Sequence, residues 1–311
     1  MTKSPISVQR NRRLKRILLF PFPRIVLPWA TREPASRLKA YALCNLVLPK
    51  LKADDRPFET MVNGRVFRGH TRDVLQLYVY VFRVWEPNLT AFIEARLSEG
   101  DVFVDVGANV GWFSLLAAQL VGPQGRVVAI EPSPLIAREL KRNLEANHFD
   151  NIRIVNAAAY SRRGGVRIVH GPQESLVTTR VVQGGDTPCD TLQELVGAED
   201  LSKVRIVKID VEGAECDVIE GFTPALSDIP PNAEVVVEIA PERVEDPRRL
   251  KMLFASFDKA GYSPYILPNN YAPESYLLDE IPKSFERLRV LPTVQTDVIF
   301  SRHDSDTLPL G

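Results

Sequence analysis

The residues best suited to chemistry lie in a short segment that begins at residue 102. Val102-Phe-Val-Asp-Val106 is an apolar run typical of a buried strand, and Gly107-Ala-Asn-Val-Gly111 follows it directly. Glycines at both ends of this turn allow it to be tight and let the backbone approach a ligand closely. The carboxylate of Asp105 can accept hydrogen bonds from an ammonium group or from loop amides. The segment therefore predicts a ligand-binding turn between a strand and a helix.

A second acid, Glu131, ends the next apolar run, 20 residues after Gly111. At this spacing a carboxylate is placed to accept hydrogen bonds from both hydroxyls of a ribose. A dinucleotide fingerprint would carry glycine where Asn109 and Trp112 stand, because a pyrophosphate needs close access to the helix N-terminus. S-adenosylmethionine, which has an ammonium, a sulfonium and a ribose diol, suits Asp105 and Glu131 better. The residues thus favour a methyl donor over the alternative, a nicotinamide-dependent oxidoreductase.

Three further acids follow two later apolar runs, and neighbouring strand ends would bring them into one crevice. Asp210 ends one run, Glu212 lies two residues later, and Glu238 lies near the end of the next run. An alcohol hydroxyl is a very weak acid, so its methylation needs a base or a metal ion. We expect these three acids to be catalytic. Either Asp210 and Glu238 bind magnesium, or one carboxylate is a general base, with His170 as the next base candidate.

Alternating strands and helices would position these residues. Strands are predicted at residues 102–106, 126–130, 151–155, 204–210, 233–239, 262–267 and 297–301. Helices are predicted at residues 111–120, 133–147, 214–220 and 247–260. This alternation is the signature of a parallel sheet with helices on both faces, where ligands bind beyond the carboxyl ends of the strands. We therefore expect a doubly wound α/β domain with the acids at one edge of its sheet.

The N-terminal part of the chain differs in character from the rest. Eight cations precede the first acid, Glu33, and flank an apolar stretch. Helical periodicity over residues 35–51 predicts a helix that Pro49 ends. We interpret residues 1–64 as a basic and apolar arm with a helical cap, and residues 65–311 as the main domain.

The composition limits the partners and the compartment that we expect. The 39 Lys and Arg residues balance 39 Asp and Glu residues, so no broad basic surface is expected to bind nucleic acid. Three scattered cysteines fit a reducing cytoplasm, and the chain has no run of 18 apolar residues that would span a membrane. Residues 1–30 combine cations with apolar side chains. They either pack on the main domain or make a peripheral contact with anionic lipid.

Six short motifs resemble those of the FkbM-type S-adenosylmethionine-dependent methyltransferases. They are Trp85-Glu-Pro87, residues 100–111, Ile130-Glu-Pro132, Asn156-Ala-Ala158, Asp190-Thr-Leu192 and Val207-Lys-Ile-Asp-Val-Glu-Gly-Ala-Glu215. The last motif is the most specific of the set. The resemblance implies a class I methyltransferase fold, which is a Rossmann-like, seven-stranded, mostly parallel sheet with its last strand antiparallel. It also implies O-methylation of hydroxyls on sugars, glycolipids or polyketide-type secondary metabolites.

The resemblance also implies which residues bind the cofactor. The set is Glu86, Asp105, Gly107, Ala108, Asn109, Gly111, Glu131, Pro132, Asn156, Ala157 and Asp210. The glycine turn would line the methionine end, Glu131 would hold the ribose, and Asn156 with Ala157 would border the adenine. Asp210 would face the acceptor, and Glu86 either closes the pocket or complements a helix dipole. A non-catalytic nucleoside-binding protein is the remaining alternative, which the intact set of acids disfavours.

Overall fold

The computed structural model describes residues 41–169 and 180–311 of the chain. The predicted arm at residues 1–30, with its membrane contact, and the base candidate His170 lie outside this part of the chain. Within the described part, no helix is both long enough and apolar enough to cross a membrane.

The described residues pack as two compact units. The first consists of the residues up to Trp85 and of Tyr271–Asp279, and the second of Glu86–Asn270 and Glu280–Gly311. The predicted boundary between residues 64 and 65 differs from this division. It falls in the turn of a β-hairpin, whose two strands are hydrogen-bonded to each other and therefore belong to one unit.

In its described residues up to Trp85 the first unit has two α-helices with a hairpin between them, and its later segment adds a short helix at Ser275–Leu278. A π-helical turn at Leu43–Val47 leads into α1 (Leu48–Asp54), followed by β1 (Pro57–Val62), β2 (Arg65–His70) and α2 (Val74–Phe82). The expectation that Pro49 ends the first helix is wrong. Pro49 lies in the first turn of α1, where proline is tolerated, and the helix continues for a further turn. The later segment joins this unit through ring contacts of Tyr276 with Tyr78 and of Tyr271 with Trp85.

The second unit is built on a seven-stranded sheet. The strands of the whole unit, which also include those of two smaller sheets, are in chain order β3 (Val102–Val106), β4 (Arg126–Ile130), β5 (Ile152–Val155), β6 (Ala158–Ala159), β7 (Gly164–Val169), β8 (Arg180–Gln183), β9 (Thr187–Asp190), β10 (Val204–Ile209), β11 (Glu234–Ile239), β12 (Ser263–Leu267), β13 (Ser284–Glu286), β14 (Thr296–Ser301) and β15 (Thr307–Pro309). The main sheet has the order β12-β14-β11-β10-β3-β4-β5, and β14 runs antiparallel to both of its neighbours. The strands β6 to β9 form a separate four-stranded sheet, and β13 pairs with β15. The order and the single antiparallel strand of the main sheet confirm the predicted class I methyltransferase fold.

The helices of this unit are α3 (Pro87–Arg96), α4 (Trp112–Val121), α5 (Pro134–Glu145), α6 (Leu192–Val196), α7 (Ala198–Leu201), α8 (Glu215–Phe222) and α9 (Pro247–Lys259). Two of them, α5 and α9, begin at a residue whose side chain caps the helix. The side chain of Ser133 accepts a hydrogen bond from the Ile136 N–H at the start of α5, and Asp246 does the same for the Arg248 N–H at α9. Every residue of β3 and β11 is buried, which requires that both faces of the sheet are covered.

Candidate active site

The carboxyl ends of β3, β4, β10 and β11 lie along one edge of the main sheet. The chain progresses from β3 to β5 on one side of the sheet and then crosses to β10 and β11 on the other side of β3. In open α/β sheets, ligands bind at such a switch point. The strand register places Asp105 opposite Lys208 and Glu238 opposite Asp297 near this edge. The predicted acids therefore lie on neighbouring strands.

The glycine turn after β3 packs directly against the end of β10. The N–H groups of Gly107 and Ala108 donate to the carbonyl of Ile130, at 2.9 and 3.0 Å, which ties the turn to β4. Gly107 has a φ of +78°, and a Cβ at this position would lie 1.8 Å from the carbonyl oxygen of Asp210. Asn109 also has a left-handed backbone, with a φ of +49°. The turn therefore requires glycine at position 107 and holds the backbone of Asp210 close to the predicted cofactor site.

Glu131 is held in one orientation by its neighbours. Its carboxylate is buried, with Oε2 accepting a hydrogen bond from the Asn109 N–H at 3.0 Å and Oε1 from the Ser133 N–H at 2.9 Å. Asn156 Nδ2 donates to the carbonyls of Glu131 and Pro132, at 2.8 and 3.2 Å. Burial raises the pKa of Glu131 to about 7, although the two backbone hydrogen bonds oppose this change. Each carboxylate oxygen keeps a lone pair that can accept a hydrogen bond from a ribose hydroxyl.

Asp105 is a buried carboxylate with one unsatisfied oxygen. Its Oδ2 accepts a hydrogen bond from Ser114 Oγ at 2.6 Å, whereas Oδ1 has no hydrogen-bond partner among the described residues. Lys208 Nζ lies 3.7 Å from Oδ1. A buried acceptor without a donor is unfavourable, so this oxygen is suited to a donor from a ligand. The ammonium group of S-adenosylmethionine is such a donor, and this cofactor therefore fits the residues around the turn.

Lys208 is a site residue that the sequence motifs leave unassigned. Its buried ammonium lies 3.2 Å from Asp210 Oδ2 and 5.3 Å from the centroid of the Phe113 ring. Burial by itself would lower the pKa of Lys208, but the charges of Asp210 and Asp105 raise it above its ordinary value, so the side chain stays charged. One signal for this residue is present in the sequence. A lysine within the apolar run of a central strand requires a buried acid nearby.

Asp210, Glu212 and Glu238 form one group of acids, which we call the carboxylate cluster. One oxygen of each residue lies within 4.8 Å of the oxygens of the other two. Glu238 is buried in β11, whereas Asp210 and Glu212 are partly buried in the loop after β10. Burial, and after it the charge of Asp210, raises the pKa of Glu212 to about 8 and raises the pKa of Glu238 as well. The cluster can therefore hold a proton near neutral pH.

A guanidinium group lies between two of these carboxylates. Arg243 Nη1 is 2.5 Å from Glu212 Oε2 and 3.2 Å from Glu238 Oε2. Gln295 Nε2 donates to the other carboxylate oxygen of Glu238. Magnesium would need several oxygens directed at one point that no other cation occupies. The oxygens of Asp210, Glu212 and Glu238 are close enough together to hold a metal ion, but protein cations already contact the carboxylates of Asp210 and Glu238. The magnesium site at Asp210 and Glu238 stays a prediction.

The other predicted cofactor residues lie near the same edge. Glu86 is buried directly before α3, has a φ of +44°, and lies close enough for its charge to act on Lys208 and Glu238. Gly111, with a φ of +93°, begins α4, and Ala157 is buried after β5. The direct contact of these residues with the cofactor stays a prediction.

Replacing Glu131 with alanine should weaken the binding of S-adenosylhomocysteine by roughly 1.5–3 kcal/mol, the scale of hydrogen bonds to a charged group. Calorimetric titration measures this change. Glu145→Ala is the matched control, because Glu145 is an exposed acid on α5 that pairs with Lys141 on the surface of the same helix. Unchanged affinity in a folded Glu131→Ala variant would show that the ribose assignment is wrong.

The sheet order, the glycine turn at the switch point and the acid at the end of the second strand define a class I S-adenosylmethionine-dependent methyltransferase. Residues 105–264, which are 160 of the 311 residues, match the model of the methyltransferase FkbM domain, and the chain belongs to this family. Because the chain belongs to a methyltransferase family, the alternative of a nicotinamide-dependent oxidoreductase is wrong.

Two named relatives and one solved structure illustrate the similarity. The chain is 26% identical over 203 residues to the hexuronic acid methyltransferase AglP of Haloferax volcanii, a match that covers 65% of this chain and 82% of AglP. It is 28% identical over 178 residues to the 31-O-demethyl-FK506 methyltransferase FkbM of Streptomyces tacrolimicus, covering 46% of this chain and 67% of that protein. The crystal structure of methyltransferase FkbM from Methylobacillus flagellatus is 14% identical, with a TM-score of 0.36, over 73% of this chain and 52% of that one.

Proposed function

We propose that this methyltransferase transfers the methyl group to a hydroxyl of a sugar, a glycolipid or a polyketide-type metabolite. The observation that carries the proposal is the carboxylate cluster at the edge where β10 and β11 end. A hydroxyl acceptor must lose a proton when it is methylated, and the raised pKa of Glu212 suits a group that accepts protons near neutral pH.

The residues of the chain have three tasks in such a reaction. S-adenosylmethionine supplies a methyl group on a sulfonium, which needs alignment with the acceptor more than covalent help. Asp105 and Glu131 would fix the two ends of the cofactor, and the close packing of Gly107 on Asp210 would set the distance from the cofactor to the cluster. The cluster would then accept the hydroxyl proton, through Asp210 or through one of its glutamates.

The named relatives support hydroxyl acceptors of this kind. One is described as a hexuronic acid methyltransferase and the other as a 31-O-demethyl-FK506 methyltransferase. Both names agree with the hydroxyl acceptors that we propose. We also propose that nucleic acid is not an acceptor, because the chain has no net positive charge.

A transfer assay with radiolabelled S-adenosylmethionine tests the proposal. The acceptors are hexuronic acid glycosides, neutral glycosides, a macrolide polyketide and a short RNA, each incubated with the full-length protein. We expect label in a glycoside or polyketide fraction, and mass spectrometry with NMR should locate it as a methyl ether. An analogue that lacks the methylated hydroxyl is the control and should take up no label. Label in the RNA alone, or on an amine, would contradict the proposal.

A further inference from the structure

The carboxylate cluster concentrates negative charge in a site that is largely closed to water. Carboxylates in such a place are stable only when cations and hydrogen-bond donors compensate for their lost hydration. Lys208 contacts Asp210 at 3.2 Å, and Arg243 contacts both Glu212 and Glu238. Each carboxylate of the cluster is therefore paired with a cation that the chain itself supplies.

Arg243 reaches this position from a short turn directly after β11. Pro241–Arg243 form a 3-10 turn in which the Arg243 N–H donates to the carbonyl of Ala240 at 2.9 Å. The stem of the arginine lies along Gly213, since a Cβ on that glycine would be 3.5 Å from Arg243 Cβ and 3.8 Å from Cδ. The side chain is 18% exposed. The backbone turn and the packing of the side-chain stem along Gly213 thus hold the guanidinium in place.

A single nitrogen of Arg243 contacts carboxylates that belong to two different chain segments. Glu212 lies in the loop after β10, and Glu238 lies near the end of β11. A bridging divalent cation would join the same two segments by the same oxygens. The guanidinium differs from a metal ion because it stays charged at all relevant pH values and offers directed N–H donors. It has no open coordination position for an acceptor hydroxyl, so proton removal is left to a carboxylate.

We propose that Arg243 is a positioning residue whose guanidinium takes the place of a divalent cation between Glu212 and Glu238. It sets the direction of the carboxylate oxygens and makes the cluster independent of metal ions. The inference rests on the proposed function, because it concerns the same carboxylates. It goes beyond that function by naming Arg243 as the residue that holds the carboxylates in place, and it excludes magnesium from the cluster.

Removal of the guanidinium should convert the cluster into a divalent-cation site. In Arg243→Ala, three carboxylates with oxygens within 4.8 Å of one another would face a space without their bridging cation. An uncompensated buried charge is strongly unfavourable, so we expect Arg243→Ala to bind Mn²⁺ about tenfold or more tightly than the unmodified protein does. Electron paramagnetic resonance of free Mn²⁺ during a titration measures this gain. The double variant Arg243→Ala/Glu238→Gln should lose it.

Arg249→Ala is the matched control for the loss of a paired arginine. Arg249 contacts Asp217 at 2.9 Å and Glu220 at 3.3 Å, outside the carboxylate cluster. This variant should bind Mn²⁺ as the unmodified protein does. If Arg243→Ala does not fold, as judged by its thermal transition, the same titration is made with Arg243→Gln, which keeps most of the side-chain volume. Equal Mn²⁺ affinity in the unmodified protein and in the folded Arg243 variant would overturn the inference.

Methyl transfer provides a second readout that a merely structural arginine would not change. The unmodified enzyme should keep full activity in EDTA, whereas Arg243→Ala should lose about 10²-fold in turnover through misplaced carboxylates and regain part of it with Mg²⁺ or added guanidinium. Loss of activity of the unmodified enzyme in EDTA, with recovery in Mg²⁺, would overturn the inference. The Mn²⁺ titration requires neither an acceptor nor methyl transfer. A wrong acceptor class would therefore leave its result unaffected, and failure of the titration would leave the proposed O-methylation standing.

Discussion

Asp210→Asn should lower the turnover number by about 10²–10⁴-fold while the affinity for S-adenosylhomocysteine stays nearly unchanged, as for the loss of a positioned base. Asparagine keeps the size and the hydrogen-bonding capacity of the side chain but removes its charge. The carboxylate contacts Lys208 at 3.2 Å and belongs to the cluster that would accept the hydroxyl proton. Single-turnover methyl transfer at saturating cofactor measures the rate, and calorimetry measures the affinity.

Asp217→Asn is the matched control for this prediction. Asp217 also pairs with a cation, Arg249 at 2.9 Å, but it lies on α8 outside the carboxylate cluster. Its replacement should leave turnover close to that of the unmodified enzyme. Near-normal turnover in both Asp210→Asn and Glu238→Gln would reject the carboxylate model and make His170 the next residue to test.

The main sheet could be predicted closely because its strands are buried on both faces. Such strands appear in the sequence as uninterrupted apolar runs, and turn residues separate them from the helices. Each of the seven predicted strands agrees with an observed strand to within one residue at either end. The meeting of Asp210 with Glu238 was predictable for the same reason, since it follows from the order of parallel strands and from their shared carboxyl edge.

The contacts of the site's two cationic side chains, Lys208 and Arg243, could not be predicted from the sequence in the same way. Lys208 faces Asp105 only through the register of β10 on β3, which joins positions about a hundred residues apart in the chain. Arg243 follows a strand by four residues, and its direction depends on a 3-10 turn and on the bare backbone of Gly213. Residue types and spacing do not encode either relation. An interpretation from the acids alone therefore proposes a metal ion without taking account of Lys208 and Arg243, which contact these acids.

Backbone strain at the site was equally hidden in the sequence. Glu86, Asn109 and Glu212 all have positive φ angles, of +44°, +49° and +57°. Residues other than glycine rarely adopt this conformation, and it persists only where the surrounding structure enforces it. Asn109 has a visible benefit, because its N–H then donates to Glu131. These three left-handed residues lie among the predicted site residues and carry a local energetic cost.

Gly107→Ala should be the most destabilising single change at the glycine turn. A Cβ at position 107 would lie 1.8 Å from the carbonyl oxygen of Asp210, which is backbone and cannot rotate away. The turn and the end of β10 would have to separate, and the φ of +78° adds strain for alanine. We expect the free energy of unfolding to fall by more than about 4 kcal/mol, a loss found only where the backbone or the core must rearrange. Urea denaturation measures it.

Gly100→Ala separates the two causes of this loss. Gly100 also has a positive φ, +92°, but a Cβ there would meet no atom within 4 Å. Its replacement should therefore cost only the left-handed backbone term, about 1–2 kcal/mol, and should leave the binding of S-adenosylhomocysteine intact. Gly107→Ala should lose that binding as well, because separation of the turn from β10 would displace the turn residues that are predicted to line the methionine end of the cofactor. Equal destabilisation in the two variants would show that the approach of the turn to β10 is not a constraint on the site.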